Sequence, residues 1–97
     1  MLIPLGYDQM SVAGVRSLRD SAALGTAMSA GATVAIITAE TQNIRWRDDG
    51  TDPTAAIGSL ILASGQPPMV YDGSLESIRF IAATAGAILH VSLYKLG

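Results

Sequence analysis

The sequence predicts an all-β fold, a small antiparallel β-sandwich or barrel with an extended N-terminal arm. Two observations lead to this prediction. Apolar and polar residues alternate in several short segments, which is the pattern of half-buried β-strands. Glycine, proline and aspartate recur between these segments, as they do in the turns that join antiparallel strands. Both signals weaken towards the N-terminus, so we place the arm at residues 1–30 and a compact β-domain at residues 31–97.

The first strands of the β-domain are predicted from their side chains. Residues 33–39 are rich in β-branched side chains, which favour strands. Residues 44–47 alternate strictly, which places Ile44 and Trp46 on one face and two arginines on the other. The Asp-Asp-Gly sequence that follows is a strong turn signal. After this turn, Pro53 is able to open a single helical turn.

The later strands follow the same pattern. Residues 57–63 fit either a helix or a strand, and we prefer a strand because the segment is short and contains a glycine. A loop rich in glycine and proline precedes a brief predicted strand at residues 69–71. Residues 77–83 and 87–94 alternate again, and the second of these segments places His90 opposite its apolar face.

Residues 1–30 give a less regular pattern. Val12, Val15 and Leu18 have the spacing of one helical stripe, but glycines interrupt every long run. An extended arm with one or two irregular strands is the other interpretation. We prefer the arm.

Composition excludes several classes of protein. The 97 residues are enough for one domain, and six basic against eight acidic residues give a net charge of −2, which provides no basic field for nucleic acid. The absence of cysteine excludes disulfides and thiol chemistry, and one histidine cannot supply a histidine-rich metal site. Residues 21–39 carry no charge, but their first half is too polar to insert into a membrane. We therefore expect no cofactor, no metal, no direct nucleic-acid contact and no membrane span.

Three groups of polar residues invite a chemical interpretation that their context does not favour. Asp48, Asp49 and Asp52 suggest a calcium loop, but their spacing is not that of an EF-hand, and we interpret them as a solvated turn. His90 lacks the neighbours of a general base. The two arginines beside Trp46 are too few for a nucleic-acid platform, and adjacent aspartates offset their charge. The sequence therefore predicts a protein that is not an enzyme.

Arginine and aromatic side chains are the candidate functional residues. Five of the six basic residues are arginine, whose planar guanidinium suits pairing of defined geometry at interfaces. Aromatic residues are frequent anchors of protein–protein contacts. The predicted interface residues are Arg45, Trp46, Arg47, Tyr71, Arg79 and Tyr94.

A resemblance to a known group of proteins rests on several segments. Residues 44–55 (IRWRDDGTDPTA) resemble a motif of small structural proteins of tailed bacteriophages and prophages. The order of the segments that follow also resembles that of these proteins. The segments are residues 69–73 (MVYDG), residues 77–81 (SIRFI) and a closing strand that ends in Tyr94. The lead-in at residues 30–33 (AGAT) fits as well, so the similarity covers about two-thirds of the chain.

The resemblance implies a structural role in a virion that is assembled in the host cytoplasm. Our leading hypothesis is a capsid decoration or cement protein that stabilises the lattice of the major capsid protein. The expected partners are the major capsid protein or other virion subunits, together with further copies of the chain in a homo-oligomer. A head–tail, tail or baseplate component is the alternative within the same class. A carbohydrate- or receptor-binding module and a small membrane protein are alternatives from other classes.

Overall fold

The computed structural model describes residues 1–97, which form eight β-strands, one α-helix and a short 3-10 helix. The strands are β1 (Leu2–Ser11), β2 (Arg16–Ser17), β3 (Val34–Glu40), β4 (Ile44–Arg47), β5 (Ser59–Ile61), β6 (Met69–Tyr71), β7 (Arg79–Ala82) and β8 (Ile88–Leu96). The 3-10 helix spans Leu18–Asp20, and α1 spans Ala22–Ser29. No helix is both long and apolar enough to cross a membrane.

The strands form two antiparallel sheets of four strands each. Sheet 1 has the order β1-β8-β3-β6, and sheet 2 has the order β2-β7-β4-β5. Every strand pair is antiparallel, which confirms the prediction of a β-rich antiparallel fold. The predicted strands at 33–39, 44–47, 57–63, 69–71, 77–83 and 87–94 correspond to β3 to β8.

The alternation in the sequence marks the inner face of each sheet. In β8, Leu89, Val91 and Leu93 are buried, whereas the side chains between them are half-buried. In β7, Phe80 and Ala82 are buried in the same way. Side chains from both sheets and from α1 form one hydrophobic cluster of 19 buried residues. The period of two therefore predicts correctly which side chains enter the core.

The structure does not confirm the predicted extended arm at residues 1–30. β1 is an edge strand of sheet 1 and pairs with β8 from Leu2 opposite Leu96 to Ser11 opposite Ile88. A register shift between Pro4 and Gly6 interrupts the alternation that would have predicted a strand.

Gly6 also has a packing role. A Cβ atom at this position would lie 3.0 Å from the Cβ of Ala27, because α1 lies close against β1. Glycine therefore permits the close approach of helix and strand, although in the sequence it resembles a strand breaker.

The short helix α1 occupies the last part of residues 1–30, where the extended arm was predicted. The hydroxyl of Ser21 accepts a hydrogen bond from the backbone N–H of Leu24, as an N-cap does. The same hydroxyl donates to the carboxylate of Asp8 in β1 over 2.6 Å, which fixes the start of the helix to the sheet. The alternative of a helical stripe through Val12, Val15 and Leu18 is wrong, because Val15 is exposed and no helix contains all three.

One local prediction after β4 is wrong as well. No helical turn begins at Pro53, which is buried in an irregular segment. Instead, the hydroxyl of Thr54 accepts hydrogen bonds from the backbone N–H groups of Ala56 and Ile57. A side-chain turn of this kind supplies a hydrogen-bond acceptor for these backbone N–H groups without a helix.

Candidate interaction site

Three of the predicted interface residues lie together on the outer face of sheet 2. In the pairing of β4 with β7, Ile44 is opposite Ala82 and Trp46 is opposite Phe80. Ile44, Phe80 and Ala82 are buried, so the alternate side chains of both strands lie on the outer face. These alternate positions include Arg45, Arg47 and Arg79, which we call the arginine face.

Each guanidinium of the arginine face is held by oxygen atoms of the same chain. Arg47 forms two hydrogen bonds with the carboxylate of Asp49, at 2.5 and 3.1 Å. Arg45 donates to the carbonyl oxygens of Ala55 and Gly58, at 3.1 and 2.8 Å. Arg79 donates to the backbone carbonyl oxygens of Glu76 and Ile78, which precede β7, at 2.8 and 2.9 Å. The side chains are therefore oriented before any partner binds.

Arg47 and Arg79 are direct cross-strand neighbours, which places two positive charges side by side. Like charges in this position are destabilising unless a counter-charge is near. Asp49 supplies that counter-charge for Arg47, and the ion pair lowers the pKa of the Asp49 carboxyl below its usual value. The pKa of Arg47 is raised for the same reason.

Trp46 and Tyr71 occupy the space between the two sheets and not the arginine face. The two rings meet edge to face, with their centroids 5.7 Å apart and their planes at 70°. Tyr71 is buried, whereas Trp46 is half-buried and packs against the core. The contact joins β4 of sheet 2 to β6 of sheet 1, and aromatic pairs of this geometry stabilise by about 0.5–1.5 kcal/mol beyond their burial.

The hydroxyl of Tyr71 fixes the turn after β4. It donates to Asp48 over 2.7 Å and lies 3.3 Å from the carbonyl oxygen of Ser74. Burial raises the pKa of Tyr71 to about 12, and the hydrogen bond with the Asp48 carboxylate adds to the effect. At neutral pH the phenol is therefore protonated and acts as a donor.

Gly73 is required by the position of the Tyr71 ring. A Cβ atom at residue 73 would lie 2.5 Å from the hydroxyl oxygen of Tyr71. The ring therefore packs directly over the backbone of the Asp-Gly turn that follows β6. Residues 44–55 and residues 69–73 thus meet in one unit.

An open pocket of about 400 Å³ lies beside Trp46. It is lined by Trp46, Arg47, Asp48, Asp49, Ile57, Gly58 and Ser59. Gly58 has a φ of +141°, and a Cβ atom there would lie 3.1 Å from the carbonyl oxygen of Trp46. Only glycine fits this wall of the pocket without strain. The lining offers one aromatic ring, one guanidinium and two carboxylates to a small polar group or to a side chain of a partner.

Tyr94 lies apart from the other predicted interface residues. It belongs to β8 in sheet 1, where its cross-strand neighbours are Pro4 and Val34. Its position in β8 alternates with the buried Leu93, so it is on the outer face of sheet 1. The structure therefore divides the six predicted residues into three places: the arginine face, the pair of aromatic residues between the sheets, and Tyr94.

A hydrogen-bonded group on the outer face of sheet 1 was not expected from the sequence. The Nδ1 atom of His90 lies 2.6 Å from the hydroxyl of Tyr7, and its Nε2 atom lies 2.6 Å from a carboxylate oxygen of Glu40. Nε2–H donates to Glu40 in this arrangement, and the Tyr7 hydroxyl is the partner of the other ring nitrogen. The group links β1, β8 and β3, and only the register of these distant strands could have predicted it.

Two of the three carboxylates of the predicted solvated turn have partners within the chain. Asp48 binds the hydroxyl of Tyr71, and Asp49 binds Arg47. No group of three or more histidine, aspartate or glutamate side chains is arranged to hold a metal ion. Comparison with protein-family models, with curated proteins and with solved structures finds no match for the chain.

Proposed function

We propose that the chain is a non-enzymatic structural protein of a bacteriophage virion, a capsid decoration or cement protein that stabilises the major-capsid lattice. We also propose that the two sheets face each other as a β-sandwich and do not close into a barrel. Assembly takes place in the host cytoplasm, and the partners are the major capsid protein or other virion subunits. The resemblance of residues 44–55 and 69–73 to phage structural proteins supports the virion role.

The arginine face is the observation that carries the proposal. Arg45 and Arg47 each use two of their three guanidinium nitrogen atoms for bonds within the chain, and Arg79 uses one. The remaining N–H groups are free to donate to carboxylates or carbonyl oxygens of a neighbouring subunit. Because the side chains are already oriented, little conformational entropy is lost when these bonds form.

A repeated lattice makes such a contact effective. A ligand that binds only the assembled state stabilises that state by RT ln(1 + [L]/Kd), about 2.7 kcal/mol per site at a hundredfold excess over Kd. The effect is repeated at every lattice site. A small protein with one oriented cationic face therefore suits the stabilisation of a shell.

Quantitative mass spectrometry of purified virions tests the proposal. A decoration protein is expected in a number of copies comparable to that of the major capsid protein. A few copies per particle would show the head–tail, tail or baseplate alternative instead. Absence of the chain from virions would remove the virion role altogether.

Matched variants test the role of the arginine face. Arg79→Gln is expected to weaken binding to particles about tenfold or more, since charge-assisted hydrogen bonds contribute about 1.5–3 kcal/mol. Lys95→Gln makes the same change of charge in β8 of sheet 1 and is expected to bind as the unaltered protein does. Equal loss of binding in both variants would show that only the net charge matters.

The pocket beside Trp46 favours one alternative, a carbohydrate-binding module. Sugars stack on exposed aromatic rings, and the carboxylates and guanidinium of the pocket would bind their hydroxyl groups. Titration of the protein with a panel of mono- and oligosaccharides, followed by Trp46 fluorescence, tests this function. A saturable change that is lost in Arg47→Gln would support it over the structural role.

A further inference from the structure

The fold gives His90 the neighbours that its sequence context lacks. His90 lies on the outer face of sheet 1, where its cross-strand neighbours are Gln9 in β1 and Thr38 in β3. Tyr7 and Glu40 are each two residues away from these neighbours along the same strands, so they share the face and reach His90 diagonally. A hydroxyl and a carboxylate therefore approach the imidazole from the two flanking strands.

The distances within this group are those of hydrogen bonds. Nε2 of His90 lies 2.6 Å from a carboxylate oxygen of Glu40, and Nδ1 lies 2.6 Å from the Tyr7 hydroxyl. The hydroxyl also lies 3.4 Å from Oε1 of Gln9, which is beyond the usual range of about 2.5–3.0 Å for a hydroxyl donor. The close contact of the phenol is therefore with the imidazole.

These contacts define a path for the phenolic proton. In a neutral imidazole, one nitrogen carries a hydrogen and the other carries a lone pair. Because Nε2–H donates to Glu40, the lone pair of the neutral ring is on Nδ1, next to the Tyr7 hydroxyl. A base that contacts a hydroxyl and is itself oriented by a third group is the arrangement that activates nucleophiles in proteins.

We infer that Tyr7 is a modification site, a phenol that His90 activates and that takes an acyl group from an activated ester. Oη of Tyr7 attacks the acyl carbon and forms a new C–O bond, while Nδ1 of His90 accepts the phenolic proton. The bond from the acyl carbon to the leaving oxygen then breaks, and the proton passes from the ring to that oxygen. Glu40 stabilises the imidazolium that exists between these two proton transfers.

The surroundings of Tyr7 favour a single transfer to the protein and not a catalytic cycle. Tyr7 is 53% exposed, so a reagent can reach the phenol, and the side chain of His90 is 23% exposed beside it. The three cavities of the molecule are lined by other residues, so no pocket shapes a substrate around the phenol. The inference does not depend on the virion role, because it concerns the isolated chain.

Reaction with p-nitrophenyl acetate tests the inference. The reaction is run at about pH 8.5, where a histidine of ordinary basicity is neutral, and peptide mass spectrometry measures the acetyl group on each tyrosine. Tyr94, which lies on the same face of sheet 1, is the internal reference for the dose of reagent. Tyr7 is expected to react about tenfold or more faster than N-acetyltyrosinamide, because a positioned general base accelerates a reaction by about 10²–10⁴-fold.

Matched variants assign the effect to the imidazole. His90→Gln removes the base and is expected to lower the rate at Tyr7 about tenfold or more. Gln9→Ala removes the distant contact of the same hydroxyl and is expected to leave the rate unchanged. Glu40→Gln keeps an acceptor for Nε2–H but removes the charge, so a smaller loss is expected. Circular dichroism shows whether the variants keep their fold.

The comparison with N-acetyltyrosinamide needs no substitution, so it decides even if a variant does not fold. Three results would overturn the inference: a Tyr7 that reacts no faster than this compound, equal rates in His90→Gln and the unaltered chain, or equal losses in His90→Gln and Gln9→Ala. An unchanged rate in Glu40→Gln would remove the carboxylate from the mechanism.

Discussion

At the scale of single residues, Trp46 has a position that the sequence predicts only in part. The alternation of residues 44–47 predicts correctly that Trp46 shares the inner face with Ile44. Ile44 is fully buried, whereas Trp46 is half-buried and forms one wall of the open pocket. One indole ring therefore serves both the core and a surface site.

Replacing Trp46 by alanine is expected to lower the free energy of unfolding by about 2–3 kcal/mol, less than the 3–5 kcal/mol for a fully buried tryptophan. The loss comes from the packing of the indole against the core and against Tyr71. Urea unfolding followed by circular dichroism measures it. Val15→Ala, at an exposed site, is the control and is expected to change stability by less than about 0.5 kcal/mol. Equal stability of the Trp46 variant and the control would show that the indole contributes nothing to the core.

The raised pKa of Tyr71 predicts a loss of stability at alkaline pH. The pKa rises from 10.0 to about 12 on folding, so the unfolded chain releases the phenolic proton at a lower pH than the folded chain does. Stability from this group is complete below pH 10 and is lost as the pH rises towards 12. The expected loss is on the order of 2 kcal/mol.

Unfolding measured at several pH values above 9 tests this prediction. Tyr71→Phe lacks the phenol, so the part of the alkaline loss that comes from this group should disappear. At neutral pH the variant should lose only about 1 kcal/mol, because Asp48 is exposed and water replaces its donor. If the free energy of unfolding of Tyr71→Phe falls with rising pH as steeply as that of the unaltered protein, the alkaline loss does not come from Tyr71.

At the scale of secondary structure, the link between α1 and β1 predicts a pH effect on the acid side. The hydrogen bond from the Ser21 hydroxyl is the main cause that lowers the pKa of Asp8 below its usual 3.8. The stability from this contact is therefore present above about pH 4 and is lost as the pH falls below that value. Ser21→Ala also removes the N-cap of α1, which costs about 1 kcal/mol at neutral pH.

The difference in stability between the unaltered protein and Ser21→Ala is accordingly expected to shrink between pH 5 and pH 2. Urea unfolding at each pH measures this difference. Ser29→Ala, at the exposed end of the same helix, should show a small difference that does not follow the titration of Asp8. A constant difference for Ser21→Ala would show that the hydroxyl acts only as a cap.

Removal of β1 is expected to unfold the protein. β1 pairs with β8 over nearly its whole length, and α1 packs against it. A chain that begins at residue 12 would lose the backbone bonds of one edge and expose the apolar side chains of α1. Circular dichroism and proteolysis of this truncated chain test the expectation. A truncated chain with native β signal and native resistance to protease would show that the first strand is dispensable.

The elements differ in how far the sequence predicts them. β4, β7 and β8 have clear alternation, because each has one face in the core and one towards solvent. β1 does not, because Pro4 and the register shift near Gly6 disrupt the period of two. α1 is short and rich in alanine, and only Leu24, Ala27 and Met28 of its residues are buried, so its helical pattern is weak.

The candidate site also has features that the sequence predicts and features that it does not. The arginine face follows from the alternation within β4 and β7 and could be predicted from the sequence. The contact of Trp46 with Tyr71 and the group around His90 depend on which strands become neighbours. That arrangement is fixed by packing of the whole chain and has no local pattern in the sequence.

At the scale of the whole molecule, the order of sheet 1 has a consequence for the time course of folding. Its central strands include β8, the last in the sequence, which pairs on one side with β1 and on the other with β3. Neither pairing can form before a long loop has closed, and loop closure carries an entropic cost before any contact compensates for it. Small all-β proteins with such distant pairings fold in milliseconds to seconds. Until β8 is in place, one backbone edge of β1 and one of β3 remain unpaired, so newly made chains are most liable to aggregate in that interval.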